Sequence, residues 1–265
     1  MAERAREWLA RFAATRFETL SIRELALTLF GIALSGPPGD AGERIAETLA
    51  GRADDVRQEF AAGRFLTLLL AADAMPEATP LSSLLRESWL ALDPASYSAS
   101  PVIAWACGQL AGKDAPMPSL RLLLRFDPRA RYVATPQFVR ELAQEIAAAS
   151  LFGRLVPPLT AEERRDVTTA LRLWAFCYTK ERDLDMLCPV VRAMHLLGLE
   201  GEPEYHDALE FIAGEQRSDG HFGMHEMGLA ILEKGGDDID RERELYLPLT
   251  VASTWTLTMC GAGDA

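Results

Sequence analysis

Apolar residues recur at three- and four-residue intervals along nearly the whole chain, and the alternation expected of strands hardly occurs. That spacing lines up one face of an α-helix. Ser21-Ile22-Arg23-Glu24 is a capping box, in which the serine oxygen accepts from a free first-turn N–H and the glutamate reaches back. It opens an apolar run through Leu25, Leu27, Leu29, Phe30 and Leu34 that stops at Gly36-Pro37-Pro38-Gly39. Thr160-Ala161-Glu162-Glu163 is a second box, ahead of Val167, Leu171, Trp174 and Tyr178 at helical spacing. Proline stands at a first-turn position in Thr79-Pro80, Ser100-Pro101, Thr135-Pro136 and Glu202-Pro203. There its missing N–H costs nothing and its fixed φ suits the helix. These signals predict about twelve helices, over 3–16, 21–35, 41–62, 64–74, 80–92, 101–111, 117–126, 136–152, 161–179, 183–198, 203–216 and 246–260, with a short one near 223–233.

Several of the most apolar helices end on a glycine: Gly36, Gly112, Gly198 and Gly261. More amphipathic segments, such as 41–62 and 161–179, lie between them. Alternation of buried and half-exposed helices predicts stacked α-hairpins with an inner and an outer layer. The glycine spacings of 76, 86 and 63 residues are too irregular for a tetratricopeptide or HEAT array. The irregular stretches 93–100, 127–134 and 235–241 are too short for linkers, so the expectation is one all-α domain over 1–265.

Composition narrows the partners. In 265 residues, 27 Lys and Arg face 39 Asp and Glu, a net charge of −12. An acidic surface argues against nucleic acid and against anionic membranes, both of which reward clustered Lys and Arg. No segment approaches the roughly 20 apolar residues of a membrane span. The first residues mix acid and base with no apolar stretch behind them, so no secretory signal is expected. Cys107, Cys177, Cys188 and Cys260 stand apart among apolar neighbours and are expected to be buried thiols in a reducing cytoplasm. The charge leaves a monomer and a homodimer both open.

The most distinctive stretch runs Phe211-Ile212-Ala213-Gly214-Glu215-Gln216-Arg217-Ser218-Asp219-Gly220-His221-Phe222-Gly223. It resembles the QW motif of terpene cyclases and related α/α toroids, with Phe222 in place of the motif's tryptophan. At this spacing the Gln216 amide can bond backbone groups at the start of the next helix. Gly220 allows a turn with positive φ, and Phe222 can fold back over the amide. The inner-type helix ending Leu196-Leu197-Gly198, the Glu202-Pro203 start and the segment Leu245–Thr250 extend the resemblance over about 160–260. It implies an α/α toroid or partial toroid around a central cavity.

The family's catalytic groups do not carry over. Hopene-type cyclases protonate with D-x-D-D, and the nearest match here is Asp183-Leu184-Asp185. Residues two apart on a helix diverge by about 200°, so Asp183 reads as an N-cap and Asp185 as a first-turn acid. Protein prenyltransferases bind zinc through Asp, Cys and His, and Tyr246-Leu247-Pro248-Leu249-Thr250 offers none of these. No metal or cofactor is therefore expected.

All four histidines, His195, His206, His221 and His225, fall within 195–225. His221 and His225 have i,i+4 spacing with Glu226 following, which leaves open a metal pair, a general acid or base, or plain turn residues. Asp237-Asp238-Ile239-Asp240 is interleaved with Arg241 and Arg243 and reads as a solvated loop. Aromatics on the apolar helices are core by default, but in a toroid some would line the cavity. The candidate substrate-binding residues are Trp174, Tyr178, His221, Tyr246, Thr250 and Trp255, and the candidate acids are Asp185 and His225. Two functions are expected to compete. One is a cytosolic biosynthetic protein holding a hydrophobic, isoprenoid- or polyketide-like molecule in a helical cavity, extending to a metal-independent cyclase. The other is a non-catalytic helical-repeat protein that holds a peptide or partner subunit.

Overall fold

The computed structural model describes residues 1–75, 79–92, 100–120, 127, 129, 132–223 and 242–262. Among these lie twelve α-helices and no strand. They are α1 (Ala2–Arg16), α2 (Ile22–Leu34), α3 (Gly39–Gly51), α4 (Ala53–Ala61), α5 (Leu66–Asp73) and α6 (Pro80–Leu90). The rest are α7 (Pro101–Leu110), α8 (Pro136–Ala149), α9 (Ala161–Glu181), α10 (Leu184–Leu196), α11 (Pro203–Gly214) and α12 (Leu247–Met259). No helix of the described residues is long and apolar enough to cross a membrane.

Both capping boxes form. Ser21 Oγ accepts from Glu24 N at 3.3 Å and Glu24 Oε2 accepts from Ser21 N at 2.8 Å. Thr160 and Glu163 repeat the exchange at 3.2 and 2.8 Å. Asp183 caps α10, its Oδ1 accepting from Met186 N at 3.1 Å, and Asp185 follows in the first turn. All four prolines read as first-turn residues open a helix, and the four glycines read as helix ends take positive φ.

Two predicted helices are corrected. The segment 41–62 is two helices, broken at Arg52, whose φ of −99° and ψ of 42° end α3 and begin α4. Gly51 weakens helix continuation there, and Arg52 turns back to bond Leu20 O and Asp55. The predicted helix 117–126 does not start: 113–120 is irregular, because Pro116 and Pro118 each remove a backbone donor. Its residues 121–126, and 224–233 of the predicted short helix, lie outside the described residues. Cys107 and Cys188 are buried as expected, whereas Cys177 and Cys260 are only half-buried.

The helix contacts link elements in order along the chain and close back on α2. The largely apolar α2 lies against α5 and α12, α5 against α7, α7 against α8, α8 against α10, and α10 against α12. Of the remaining helices, α1 packs on α2 and α12, α3 on α2 and α6, α6 on α5, and α9 and α11 on α10. Two buried clusters result, one built mainly by α1–α6 and one by α7–α12, and Ile103 and Phe152 pack against both. Arg172 ties α9 to α11 by bonding Glu204 at 2.9 and 3.0 Å.

The QW-like turn acts on the far end of the chain. Gln216 Nε2 donates to Met1 O at 2.9 Å and to Gly220 O at 3.1 Å, so the helix it reaches is α1 rather than the next helix in sequence. Gln216 and Phe222 also pair as an isolated antiparallel bridge. Phe222 is buried and borders a small gap together with Met1, Ala2, Thr254 and Leu257. Gly220 has φ of +106°, and a Cβ there would run into the Arg4 carbonyl oxygen. Arg11 Nη2 bonds Asp219 O at 2.7 Å. The turn thus fastens α1 to the last third of the chain.

Glu24 carries a second long-range tie, to Arg243, whose Nη2 lies 2.6 Å from Glu24 Oε2. Burial by itself raises the Glu24 pKa, but hydrogen bonds from Arg243 and Ser21 outweigh it and hold the carboxyl below its ordinary 4.5. The Arg64 guanidinium holds Glu59 down, and the Arg172 guanidinium holds Glu204 down.

Two outcomes follow from these ties. Gln216→Ala should cost about 1–3 kcal/mol through unpaired polar groups, and Phe222→Ala about 3–5 kcal/mol through the cavity it leaves, both read by urea denaturation. A carboxyl whose folded pKa lies below its unfolded one stabilises the fold above about pH 4.5, and that contribution fades as pH falls. Glu24→Gln, which keeps an acceptor for the Ser21 N–H but loses the charge facing Arg243, should therefore cost up to about 1 kcal/mol at pH 7. The difference from wild type should shrink as pH falls below about 4.5 in a pH series of melts.

Candidate functional site

The predicted site residues separate into three places. Trp174 and Tyr178 lie on α9 in the second core cluster. Trp174 meets Phe138 edge-on at 6.4 Å, and burial, followed by the nearby charges of Asp183 and Glu181, pushes the Tyr178 hydroxyl pKa up. Neither lines a described cavity.

His221, Tyr246 and Thr250 gather at the QW-like turn. The His221 ring stacks on Tyr246 at 4.4 Å, and its Nδ1 lies 2.7 Å from Asp219 Oδ1. Thr250 is fully buried, and its Oγ1 accepts the Phe222 N–H at 3.0 Å. This group holds the turn on α12. His195 and His206 are elsewhere, on either side of Tyr205, whose hydroxyl is 3.1 Å from His195 Nδ1. His225 and Glu226 lie outside the described residues, as do Asp237, Asp238 and Asp240. Among the described residues no three His, Cys, Asp or Glu side chains group closely enough to hold a metal ion.

Asp185 and Trp255 meet at a cavity of about 200 Å³ between α5, α7, α8, α10 and α12. The local sequence explains the space. Helix α8 presents Arg140, Ala143, Gln144, Ala147 and Ala148, whose spacing of three, four, seven and eight puts them on one face. Three of the five are alanines, too short to reach across to α10. Helix α10 faces them with Asp185, Pro189 and Arg192, again on one stripe. Pro189 has no N–H to give to the Asp185 carbonyl, so this stretch of α10 carries a gap in its hydrogen-bond ladder. Leu66, Ile103, Ala252, Phe152 and Trp255 complete the wall.

Phe152 reaches the cavity from an unusual turn. Leu151, Phe152 and Gly153 all have positive φ, of 47°, 56° and 101°. Bulky residues rarely adopt this conformation, and it persists only where surrounding bonds fix it. Here Phe152 N donates to Ala147 O at 2.8 Å, Gly153 N to Ser150 Oγ at 3.1 Å and Leu155 N to Ser150 O at 2.8 Å. Trp255 meets Phe152 at 6.4 Å and Phe30 edge-on at 5.1 Å. On the other side of Phe152 and Trp255 lies a wider depression of about 650 Å³ at the C-terminal ends of α2, α10 and α12.

The charges at the cavity are unequal. Arg140 Nη2 lies 2.5 Å from Asp185 Oδ2, so the predicted acid is engaged by a guanidinium at the mouth. Arg192 sits deeper, its guanidinium 4.2 Å from the Trp255 ring, a cation–π contact. Its Nη1 donates to Ala252 O at 3.0 Å and Thr256 Oγ1 at 2.8 Å. Burial pulls its pKa below the ordinary arginine value. Arg140, Phe152 and Arg192 were not foreseen as site residues. Arg192 left a signal, because it is the one charged residue in the otherwise apolar run Met186–Met194.

Thr250→Val should leave the buried Phe222 N–H without its acceptor and cost about 1–3 kcal/mol, while Thr250→Ser stays near wild type. Thermal melts of the two variants check this, and neither should alter binding in the α8–α10 cavity. Comparison of the chain with protein-family models, curated proteins and solved structures finds no significant match.

Proposed function

We propose that this chain is an α/α-toroid protein that binds a small apolar molecule in the cavity between α8, α10 and α12. The order of neighbours supports the toroid: α2, α5, α7, α8, α10 and α12 each lie against the next, and α12 returns to α2. Along the sequence the other helices fall between members of this ring, α3 and α4 together between α2 and α5, while α7 and α8 follow one another among the described helices. The observation that carries the binding reading is the cavity itself, apolar over most of its wall and floored by Trp255 and Phe152.

Its size limits the ligand. An engineered apolar cavity of about 150 Å³ takes benzene, and sites for drug-sized molecules start near 300 Å³. At about 200 Å³ this cavity suits one ring with a short substituent rather than an extended isoprenoid or polyketide chain. Asp185, the one carboxylate of its lining, is tied to Arg140, so the reading stops at binding and assigns no proton donor.

A second reading, as a scaffold for a peptide or partner subunit, draws on a different observation. Leu155 and Val156 are 48% and 79% exposed at the edge of the wider depression, where a partner's apolar side chain could cover them.

Toluene is a suitable probe of the cavity. At 100 times its Kd, a ligand stabilises the folded state by about 2.7 kcal/mol, which raises Tm by roughly 5–10 °C for a chain of this size. Wild type should show that rise. Ala147→Phe, which places a ring in the cavity, should melt cooperatively and show none. A wild-type melting curve unmoved by saturating toluene would rule the cavity out as a binding site.

A further inference from the structure

We infer that the cavity ligand carries an anionic group, a carboxylate on a single apolar ring, and that Arg192 is the residue that recognises it. The inference rests on the binding reading above and adds the chemistry of the ligand.

Arg192 is half-buried, and a guanidinium drawn partly out of water between helices gains from a carboxylate partner, because desolvating its charge is costly. Arg192 has none among the described residues. Its Nη1 spends its bonds on Ala252 O and Thr256 Oγ1, which leaves Nε and Nη2 without an acceptor there. The nearest acid along the same face of α10 is Asp185, two turns away and held by Arg140. The Cys188 thiol next to Arg192 is no substitute, since burial pushes its pKa up and keeps it neutral. Among the described residues the charged groups of the lining are therefore two cations and one anion, Arg140, Arg192 and Asp185, an excess of one positive charge in a wall that is otherwise apolar except for Gln144.

The rest of the wall is arranged to hold this cation still. Trp255 stacks under the guanidinium, and two acceptors on α12 fix Nη1, so the free Nε–Nη2 edge keeps one orientation. A planar fork of two N–H groups matches a carboxylate through paired bonds. Next to it the alanines of α8 leave room for one ring, which Phe152 and Trp255 would face.

Titration calorimetry with phenylacetate, phenylacetamide and toluene separates the contributions. Charge-assisted hydrogen bonds should make phenylacetate bind wild type at least about tenfold more tightly than phenylacetamide. Arg192→Met should abolish that preference while toluene affinity stays within about threefold, and Ala147→Phe should bind none of the three. Arg192→Lys, which keeps the charge but loses the fork, should fall between wild type and Arg192→Met. Equal wild-type affinity for the acid and the amide overturns the anion assignment, as does a preference that persists in folded Arg192→Met. Toluene binding without acid preference overturns this inference alone, whereas no binding of any probe overturns the cavity reading with it. The wild-type acid-to-amide ratio needs no variant, so a failure of Arg192→Met to fold leaves the decision to that ratio.

Discussion

Helix α12 has to be buried by pieces of chain that are far from it in sequence, and most of the architecture answers to that need. Its neighbours are α1, α2, α10 and α11. It is not purely apolar: Thr250, Ser253, Thr254 and Thr256 are all buried. Buried hydroxyls must find partners or cost free energy, and most of these find theirs at distant sites. Thr250 takes the Phe222 N–H, Ser253 meets the Cys188 sulfur, and Thr256 accepts from Arg192 while donating within its own helix to Ala252 O. The hydroxyls therefore set the register of α12 against α10 and against the QW-like turn, in a way that apolar contacts alone would not.

Local chemistry was legible in the sequence and remote pairing was not. The two capping boxes, the Asp183 cap, the first-turn prolines and the terminal glycines each involve residues within a few positions, so their geometry follows from spacing alone. The break at Arg52 was missed because the apolar pattern continues across it. What ends α3 is a weak glycine and a guanidinium reaching to Leu20, and periodicity records neither. At the motif, the turn and the Gln216 bond were readable, but the partner was not: nothing near 216 indicates that Met1 supplies the acceptor.

The site divides in the same way. Trp255 and Asp185 were found as an aromatic and an acid on helices expected to be inner, and both reach the cavity. The aromatics of α9 were grouped with them because Trp174 and Tyr178 also fall at helical apolar spacing, which does not record whether a side chain faces a cavity or the core. Arg192 stands in an otherwise apolar stretch of α10 as a half-buried charge held by two neutral acceptors and one ring, a local inconsistency that the proposed binding role would account for. The three left-handed residues at 151–153 are a second such inconsistency, on the same wall.

The bond from Gln216 to Met1 spans 215 residues, and the one from Arg11 to Asp219 spans 208. A ribosome adds about 5–20 residues per second, so roughly 10–40 s separate the synthesis of α1 from that of the turn that docks it. During that interval α1 can settle on α2, but the side of it that α12 and the turn will cover stays open. Trp8, which ends within 5.7 Å of His221, lacks that neighbour for the whole period. Until α12 and the turn are made, the growing chain thus carries an uncovered apolar face on α1.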